Sequence, residues 1–296
     1  MPAEDMPSAE VDVGPAVVRA LLAEQFPDLV ELDLVELAYG WDNAIFRLGD
    51  HLTVRLPRRA MAAELVEHEQ RWLPELAPRL PLPIPAPLRA GRPGGDYPWS
   101  WSVCPWLPGV IAARTTPDDP FEAAETLGAF LAALHQEAPR DAPANPYRGV
   151  PLAERDDVVR QRVHQLADLI DAPAVLSRWD DLSSTPTWSG PPLWLHGDLH
   201  PANVLVDHGR VSAVIDFGDI TAGDPATDLA LAWMLFPTEA RSTFRAAAGT
   251  IDDDTWVRAR GWALSLALAY LASSADNPMF ARLGEQVLHA ALADNN

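Results

Sequence analysis

The 296-residue sequence contains no lysine and only one cysteine, Cys104. All 22 basic residues are therefore arginines, and against 42 Asp and Glu residues they leave a net charge of −20. A single cysteine excludes an internal disulfide and a zinc centre built from several cysteines. The shortage of positive charge disfavours nucleic acid as a partner, because phosphate-backbone binding needs a basic face.

Long apolar runs are also missing. No run approaches the ~20 residues that a helix needs to span a bilayer. The first ten residues are acidic and have neither the basic nor the apolar part of a signal peptide. We therefore expect no membrane partner and a cytoplasmic location. Hydrophobic residues make up 48% and charged residues 22% of the chain, which is typical of a globular protein.

Negative charge is spread over the whole chain. Up to Val103, nine arginines stand against sixteen acidic residues, and from Cys104 onward thirteen stand against 26. Such a field favours a cationic small molecule as the partner. Solubility explains the same charge equally well. The sequence gives no indication of the oligomeric state.

Hydrophobic periodicity predicts a small sheet with one crossing helix, followed by a mainly helical part. The front strands are predicted at Leu32–Ala38, Ala44–Leu48, Leu52–Leu56 and Tyr97–Pro105, and the front helices at Val13–Phe26 and Ala60–Leu76. The later helices are predicted at Phe121–Gln136, Leu152–Ile170, Pro225–Phe236, Glu239–Ala248, Thr255–Ala272 and Met279–Ala293. Three short strands are predicted at Leu193–Leu195, Val204–Val206 and Val211–Ile215. We therefore predict an α+β fold with two lobes, at 1–103 and 110–296, joined by a hinge at 104–109.

One polar loop between two of the short strands carries most of the chemistry. It reads His196-Gly197-Asp198 and, five residues after the aspartate, Asn203. The next strand is apolar and ends in Asp216-Phe217-Gly218. A carboxylate beside a core is costly unless it is paired or bound to a metal. The three side chains of His196, Asp198 and His200 leave a zinc site open as an alternative.

The order His-x-Asp, four residues, Asn, strand, Asp-Phe-Gly is the order of protein-kinase catalytic motifs. It resembles most closely the aminoglycoside phosphotransferase family, and the resemblance extends from about Leu32 to Ala272. It implies a bilobal protein-kinase-like fold. It also implies transfer of the γ-phosphate of ATP or GTP to a hydroxyl of a small molecule, such as an aminoglycoside antibiotic or a related amino sugar.

The resemblance also implies roles for the loop residues. Asp198 would be the catalytic base that accepts the proton of the acceptor hydroxyl. Asn203 and Asp216 would hold Mg²⁺, which prefers oxygen ligands. His196 would brace the loop, and Asp228 would hydrogen-bond its backbone.

A nucleotide site is implied in the front lobe. Arg55 stands where the family usually has lysine, and its carboxylate partner would be Glu69, with Glu67 and Glu64 as alternatives. The phosphate-covering loop would include Asp42 and Asn43. The adenine would contact the strand end at Ser102, Val103 and Cys104.

The acceptor pocket is left open by the sequence. The candidates are acidic and tryptophan-rich, namely Trp179, Asp180, Asp181, Asp219, Asp252–Asp254, Trp256, Arg260 and Trp262. For the aspartates at 252–254, helix capping is an equal explanation. Macrolide kinases are disfavoured, because that branch has histidine where this chain has Asn203. The alternative function is a kinase-like protein that binds a nucleotide or metabolite without efficient transfer, an idea supported by Arg55.

Overall fold

The computed structural model describes residues 8–39, 43–273 and 276–293. Its contacts divide the chain into two compact units. The first unit comprises Met1–Pro108 and Val214–Gly218, and the second comprises Gly109–Ala213 and Asp219–Asn296. The chain therefore returns once to the first unit, and it does so at the segment that carries Asp216.

The first unit is built on a five-stranded antiparallel sheet with the order β1-β2-β3-β5-β4. Its strands are β1 (Leu34–Tyr39), β2 (Asn43–Leu48), β3 (Leu52–Pro57), β4 (Arg89–Gly91) and β5 (Trp101–Pro105). Two helices accompany the sheet, α1 (Pro15–Gln25) and α2 (Ala60–Leu76). Burial alternates along β2 but is nearly continuous along β3, because β3 lies in the middle of the sheet.

The pattern of apolar residues in helix α2 determines which of its glutamates is buried. Its buried residues recur every three or four positions, at Ala62, Val66, Glu69, Trp72, Leu73 and Leu76. Glu69 is the only charged member of this buried face. The helix period therefore turns this carboxylate inward with the apolar residues, while Glu67 stays exposed.

The second unit is mainly helical, with two small sheets. Its helices are α3 (Pro120–Leu134), α4 (Asp156–Gln165), α5 (Ala172–Ser183), α6 (Ala226–Leu229), α7 (Leu231–Leu235), α8 (Thr238–Ala247), α9 (Asp253–Ala272) and α10 (Pro278–Ala293). Its strands are β6 (Val110–Ile111), β7 (Leu193–Leu195), β8 (Val204–Asp207), β9 (Arg210–Val214) and β10 (Thr221–Gly223). One sheet has the order β6-β8-β9, and the other pairs β7 with β10. The predicted α+β class is confirmed.

Several element predictions were wrong in detail. The helix predicted over Leu152–Ile170 is a 3₁₀ turn followed by α4, which ends at Gln165. Helix α5 was not predicted, although Asp171 caps it by accepting from the Ala174 amide and Pro173 lies in its first turn. The helix predicted over Pro225–Phe236 is two short helices, α6 and α7.

The strand predicted over Tyr97–Pro105 begins only at Trp101, since Pro98 has no amide to pair. Strands β4, β6 and β10 were missed because each is short and lacks the run of apolar residues that marks β7 and β8. Among the described residues, no helix is both long and apolar enough to cross a membrane.

Candidate active site

The loop between β7 and β8 requires glycine at its second position. Gly197 has φ +85°, in the left-handed region. A Cβ at this position would lie 2.1 Å from the carbonyl oxygen of Asp219. Both the backbone conformation and the close approach therefore require glycine between His196 and Asp198.

The buried carboxylate of Asp228 holds the backbone of this loop. The backbone amides of His196 and Gly197 donate to Asp228, at 2.8 and 2.9 Å. Asp228 is fully buried, and the Nε2 atom of His135 lies 3.1 Å from its Oδ2 atom. Two amides and an imidazole thus satisfy the buried charge, and they fix the backbone that leads into Asp198.

Asp198 is held by two side chains. Its Oδ1 atom accepts from Arg148 Nη2 at 3.0 Å, and its Oδ2 atom lies 3.3 Å from His200 Nε2. His200 Nδ1 accepts from the Ala202 amide, so in the neutral ring the proton is on Nε2 and points at Asp198. Burial would raise the pKa of Asp198, but His200 and Arg148 hold it well below its usual range. The carboxylate is therefore ionised at neutral pH.

Asn203 fixes the other end of the loop. Its Nδ2 atom donates to the backbone carbonyl of Asp198 at 2.9 Å, an orientation assigned from this hydrogen bond. This leaves the side-chain oxygen of Asn203 available to a ligand. The loop thus joins Asp198 and Asn203 into one rigid unit.

The two histidines of the loop do not form a metal site. His196 is fully buried, and its Nδ1 atom accepts from the Asp198 amide at 3.2 Å. The Nδ1 atom of His200 accepts from the Ala202 amide. In the part of the chain that the structure describes, no three His, Cys, Asp or Glu side chains are grouped as a metal site. The geometry therefore favours bracing of the loop over the zinc alternative.

In the first unit, Arg55 and Glu69 form a buried ion pair. Arg55 Nη1 lies 2.9 Å from Glu69 Oε1, and the two side chains are 9% and 3% exposed. Glu64 is exposed, and Glu67 is exposed and accepts from the Ser100 hydroxyl. Burial would lower the pKa of Arg55, but the carboxylates of Glu69 and Asp216 raise it above its usual value.

Asp216 stands beside this pair. Its Oδ1 atom lies 3.8 Å from Arg55 Nη2, and its side chain is 60% exposed. Asp216 has φ +64°, which a residue with a Cβ adopts rarely and at a cost. The next residue, Phe217, is fully buried, and its backbone amide hydrogen-bonds Glu69. The strained turn thus keeps the carboxylate accessible while Phe217 anchors it to the core.

The predicted adenine contacts lie on β5. The Val103 carbonyl already accepts from the Leu88 amide, and the Ser102 hydroxyl is bonded to Gln70. Cys104 is buried, and burial raises the pKa of its thiol to about 12. Cys104 is therefore an inert apolar residue rather than a reactive thiol.

The predicted phosphate loop is described only in part. Asp42 lies outside the described residues. Asn43 begins β2, and among the described residues its buried Oδ1 atom has no hydrogen-bond partner.

Some of the acceptor-pocket candidates have structural contacts. Trp179 is buried and donates to Asp156. Asp252 caps α9 by accepting from the Thr255 amide.

Other candidates lie together. Asp181, Trp256 and Arg260 line one cavity with Trp233, whose ring centroid is 4.8 Å from that of Trp256. The acidic, tryptophan-rich pocket therefore stays a prediction.

The sequence analysis did not predict the arginine that contacts Asp198. Arg148 is 50 positions before Asp198 and lies in the segment Tyr147-Arg148-Gly149, which has no helix or strand pattern. His200 was noted without an assigned role, and its two ring contacts now give it one. His135, at the end of α3, had no signal of its own.

Asn203 and Asp216 each carry an oxygen donor of the kind that Mg²⁺ takes, usually together with several waters. Asn203 belongs to the second unit and Asp216 to the first. The donor chemistry of each residue therefore fits a magnesium ion.

Comparison with known proteins identifies the relatives. The model of the phosphotransferase enzyme family (APH) matches residues 33–262. An aminoglycoside 3'-phosphotransferase of Escherichia coli is 25% identical over 168 residues, which cover 55% of this chain and 59% of that protein. The uncharacterized protein YcbJ of Bacillus subtilis is 29% identical over 126 residues, 40% of each chain. The chain thus aligns with less than two thirds of either curated relative.

Solved structures share the fold over nearly the whole chain. The GDP and kanamycin complex of APH(2")-IIia has a TM-score of 0.71 at 20% identity and covers 95% of this chain and 99% of its own. Macrolide 2'-phosphotransferase MphH from Brachybacterium faecium has a TM-score of 0.61 at 24% identity, with coverages of 95% and 99%. The fold therefore does not separate aminoglycoside from macrolide enzymes, although the sequence disfavoured the latter.

Proposed function

Because the chain belongs to the phosphotransferase enzyme family, we propose that it transfers the γ-phosphoryl group of ATP or GTP to a hydroxyl group of a small molecule. One observation carries the proposal. Asp198 is an ionised, partly exposed carboxylate held by Arg148 and His200 on a loop that Asp228 anchors.

Asp198 is the base of the proposed reaction. A hydroxyl is a weak nucleophile, and a fixed carboxylate at hydrogen-bond distance orients it and accepts its proton as the bond to phosphorus forms. Because two donors already hold the oxygens of Asp198, its direction is set before the acceptor binds. This preorganisation is the loop's contribution to the rate.

The phosphates of the donor are proposed to bind Arg55, which Glu69 holds in place. Asn203 and Asp216 would hold Mg²⁺, which when bound neutralises phosphate charge and orients the γ-phosphoryl group. The adenine or guanine is proposed to pack on Ser102, Val103 and Cys104.

The relatives suggest the first acceptors to test. One neighbouring structure contains kanamycin, and two others are macrolide 2'-phosphotransferases. Aminoglycosides and macrolides are therefore proposed as candidate acceptors for this chain.

Nucleotide release tests the proposal. Purified protein with Mg·ATP or Mg·GTP should release ADP or GDP only when an acceptor is present. Asp198→Asn should lower kcat by roughly 10²- to 10⁴-fold, the usual contribution of a general base, with nucleotide binding retained. Asp168→Asn removes one negative charge from an exposed position and is the matched control. Nucleotide binding without release for any acceptor would favour the non-catalytic alternative.

A further inference from the structure

Three arginines of the second unit, namely Arg148, Arg155 and Arg162, act on one another through their charges. Of the three, Arg148 contacts Asp198 directly. Arg155 and Arg162 are seven positions apart, at the end of the 3₁₀ turn and in α4 that continues it, so they share one face. Burial and the charge of Arg148 lower the pKa of Arg155, and both neighbours act on Arg162 in the same direction. The three cations are therefore close enough to repel one another.

Two of these cations, Arg155 and Arg162, lack carboxylate partners. Among the described residues, neither has an Asp or Glu oxygen within ion-pair distance. The guanidinium of Arg155 lies 5.9 Å over the ring of Tyr147, the residue before Arg148. By contrast, Arg160 of α4 binds both Asp156 and Asp180. The difference separates a paired, exposed arginine from two partly buried ones without a carboxylate.

Unused hydrogen-bond donors mark the same place. The Nε atoms of Arg148 and Arg155 are buried and have no hydrogen-bond partner in the described part of the chain. Partly buried like charges with free donors are unfavourable unless an anion pairs with them. An anion held there would lie next to Asp198, where the acceptor hydroxyl must lie.

We propose that Arg155 and Arg162, together with Arg148, bind an anionic group of the acceptor. The acceptor is then a hydroxyl compound that carries a carboxylate or a phosphate ester, in contrast to the cation that the net charge of the chain favours. Local charge decides here because an ion pair at contact outweighs the screened field of distant surface charges. The inference rests on the proposed phosphotransfer, and it specifies the substrate class of that site.

Matched compounds of one skeleton test the charge preference. Galacturonate, galactose 6-phosphate, galactose and galactosamine give two anionic, one neutral and one cationic probe, and hydroxy acids with their amino-alcohol counterparts extend the set. Binding is measured by calorimetry with Mg·ADP present, and transfer by nucleotide release with Mg·ATP. We expect an anionic compound to bind roughly tenfold or more tightly than its neutral counterpart, as a charge-assisted hydrogen bond provides. The carboxylate and phosphate probes distinguish the two sources of the anion.

Variants connect the preference to the arginines. Arg155→Gln with Arg162→Gln should remove the discrimination between anionic and neutral compounds, and replacement of both by lysine should keep part of it. Arg160→Gln, which removes the same charge from the same helix, should leave it unchanged. The inference is overturned if no anionic compound is preferred, if kanamycin is preferred, or if the double variant weakens ATP binding in place of acceptor binding.

The two proposals can fail separately. Arginine-dependent anion binding with no nucleotide release for any compound would support the anion site and contradict phosphotransfer. Release with kanamycin or a macrolide, and no preference for anions, would support phosphotransfer and overturn the anionic acceptor.

Discussion

Each unit of the protein pairs an arginine with a functional carboxylate, but the two pairs differ in burial. The side chains of Arg55 and Glu69 are 9% and 3% exposed, whereas those of Arg148 and Asp198 are 21% and 28% exposed. The buried pair gives no access to a reacting group, and burial raises the pKa of Glu69. The more exposed pair holds the Asp198 carboxylate in one orientation and leaves it accessible to another molecule. The difference supports the proposal that Arg55 and Glu69 hold the phosphates in place while Asp198 reacts with the acceptor.

The buried pair should be the more costly to break. Glu69→Gln leaves the Arg55 charge buried with only Asp216 near it, so we expect the free energy of unfolding to fall by about 3 kcal/mol. Urea denaturation followed by tryptophan fluorescence measures the loss. Glu67→Gln is the control on the exposed face of the same helix and should change stability by less than about 0.5 kcal/mol. Equal effects of the two variants would refute the distinction.

The next largest effect is expected at Asp228, which accepts hydrogen bonds from the backbone of the catalytic loop. Asp228→Asn keeps one acceptor oxygen but removes the charge that two amides and His135 share. We expect a loss of about 2 kcal/mol, as for hydrogen bonds to a charged group, together with lower kcat. Denaturation and nucleotide-release assays measure the two effects. Asp168→Asn, at an exposed position, is the control, and a stable but inactive Asp228→Asn would show that the contact serves orientation alone.

Breaking the more exposed pair, Arg148 and Asp198, should lower the free energy of unfolding by less, and the loss should depend on pH. Arg148 and His200 depress the pKa of Asp198 in the folded state, so the resulting stability is present above the unfolded pKa of about 3.9 and is lost as the pH falls through the folded pKa. Arg148→Gln should lower the free energy of unfolding by about 1 kcal/mol at pH 7. The difference from wild type should narrow below about pH 4.

The same variant should alter the pH profile of transfer. With Arg148 removed, the pKa of Asp198 rises, so the acidic limb of the kcat profile should move to higher pH. Arg160→Gln should leave that limb in place. An unshifted limb in Arg148→Gln would mean that Arg148 does not set the charge state of Asp198.

The smallest effect is expected at Cys104, on strand β5 of the first unit. Burial raises its thiol pKa to about 12, so a thiol reagent at pH 8 should modify the native protein very slowly. Unfolding in urea should release one fast-reacting thiol per chain. Fast modification of the native protein would contradict the closed character of the β5 strand.

Local patterns explain which parts of the fold were predicted. Helix α2 was predicted with its observed ends, because its apolar residues repeat at the helix period over 17 residues. Helix α5 was missed, although its buried residues Val175, Trp179 and Leu182 follow the helix period. Its apolar face is short, with three buried residues over 12 positions, against six over 17 positions in α2.

The same distinction applies to the candidate site. The sequence alone predicted the loop, since Gly197, Asp198 and Asn203 are close along the chain, and the roles proposed for Asp198 and Asn203 follow from the family resemblance. Only the tertiary structure decided which cation contacts that loop, because Arg148 reaches Asp198 across 50 residues. The proposed role of Arg155 and Arg162 likewise depends on their position near Arg148. A net charge of −20 predicts the distant field, but charge at contact distance depends on packing, which the sequence does not display.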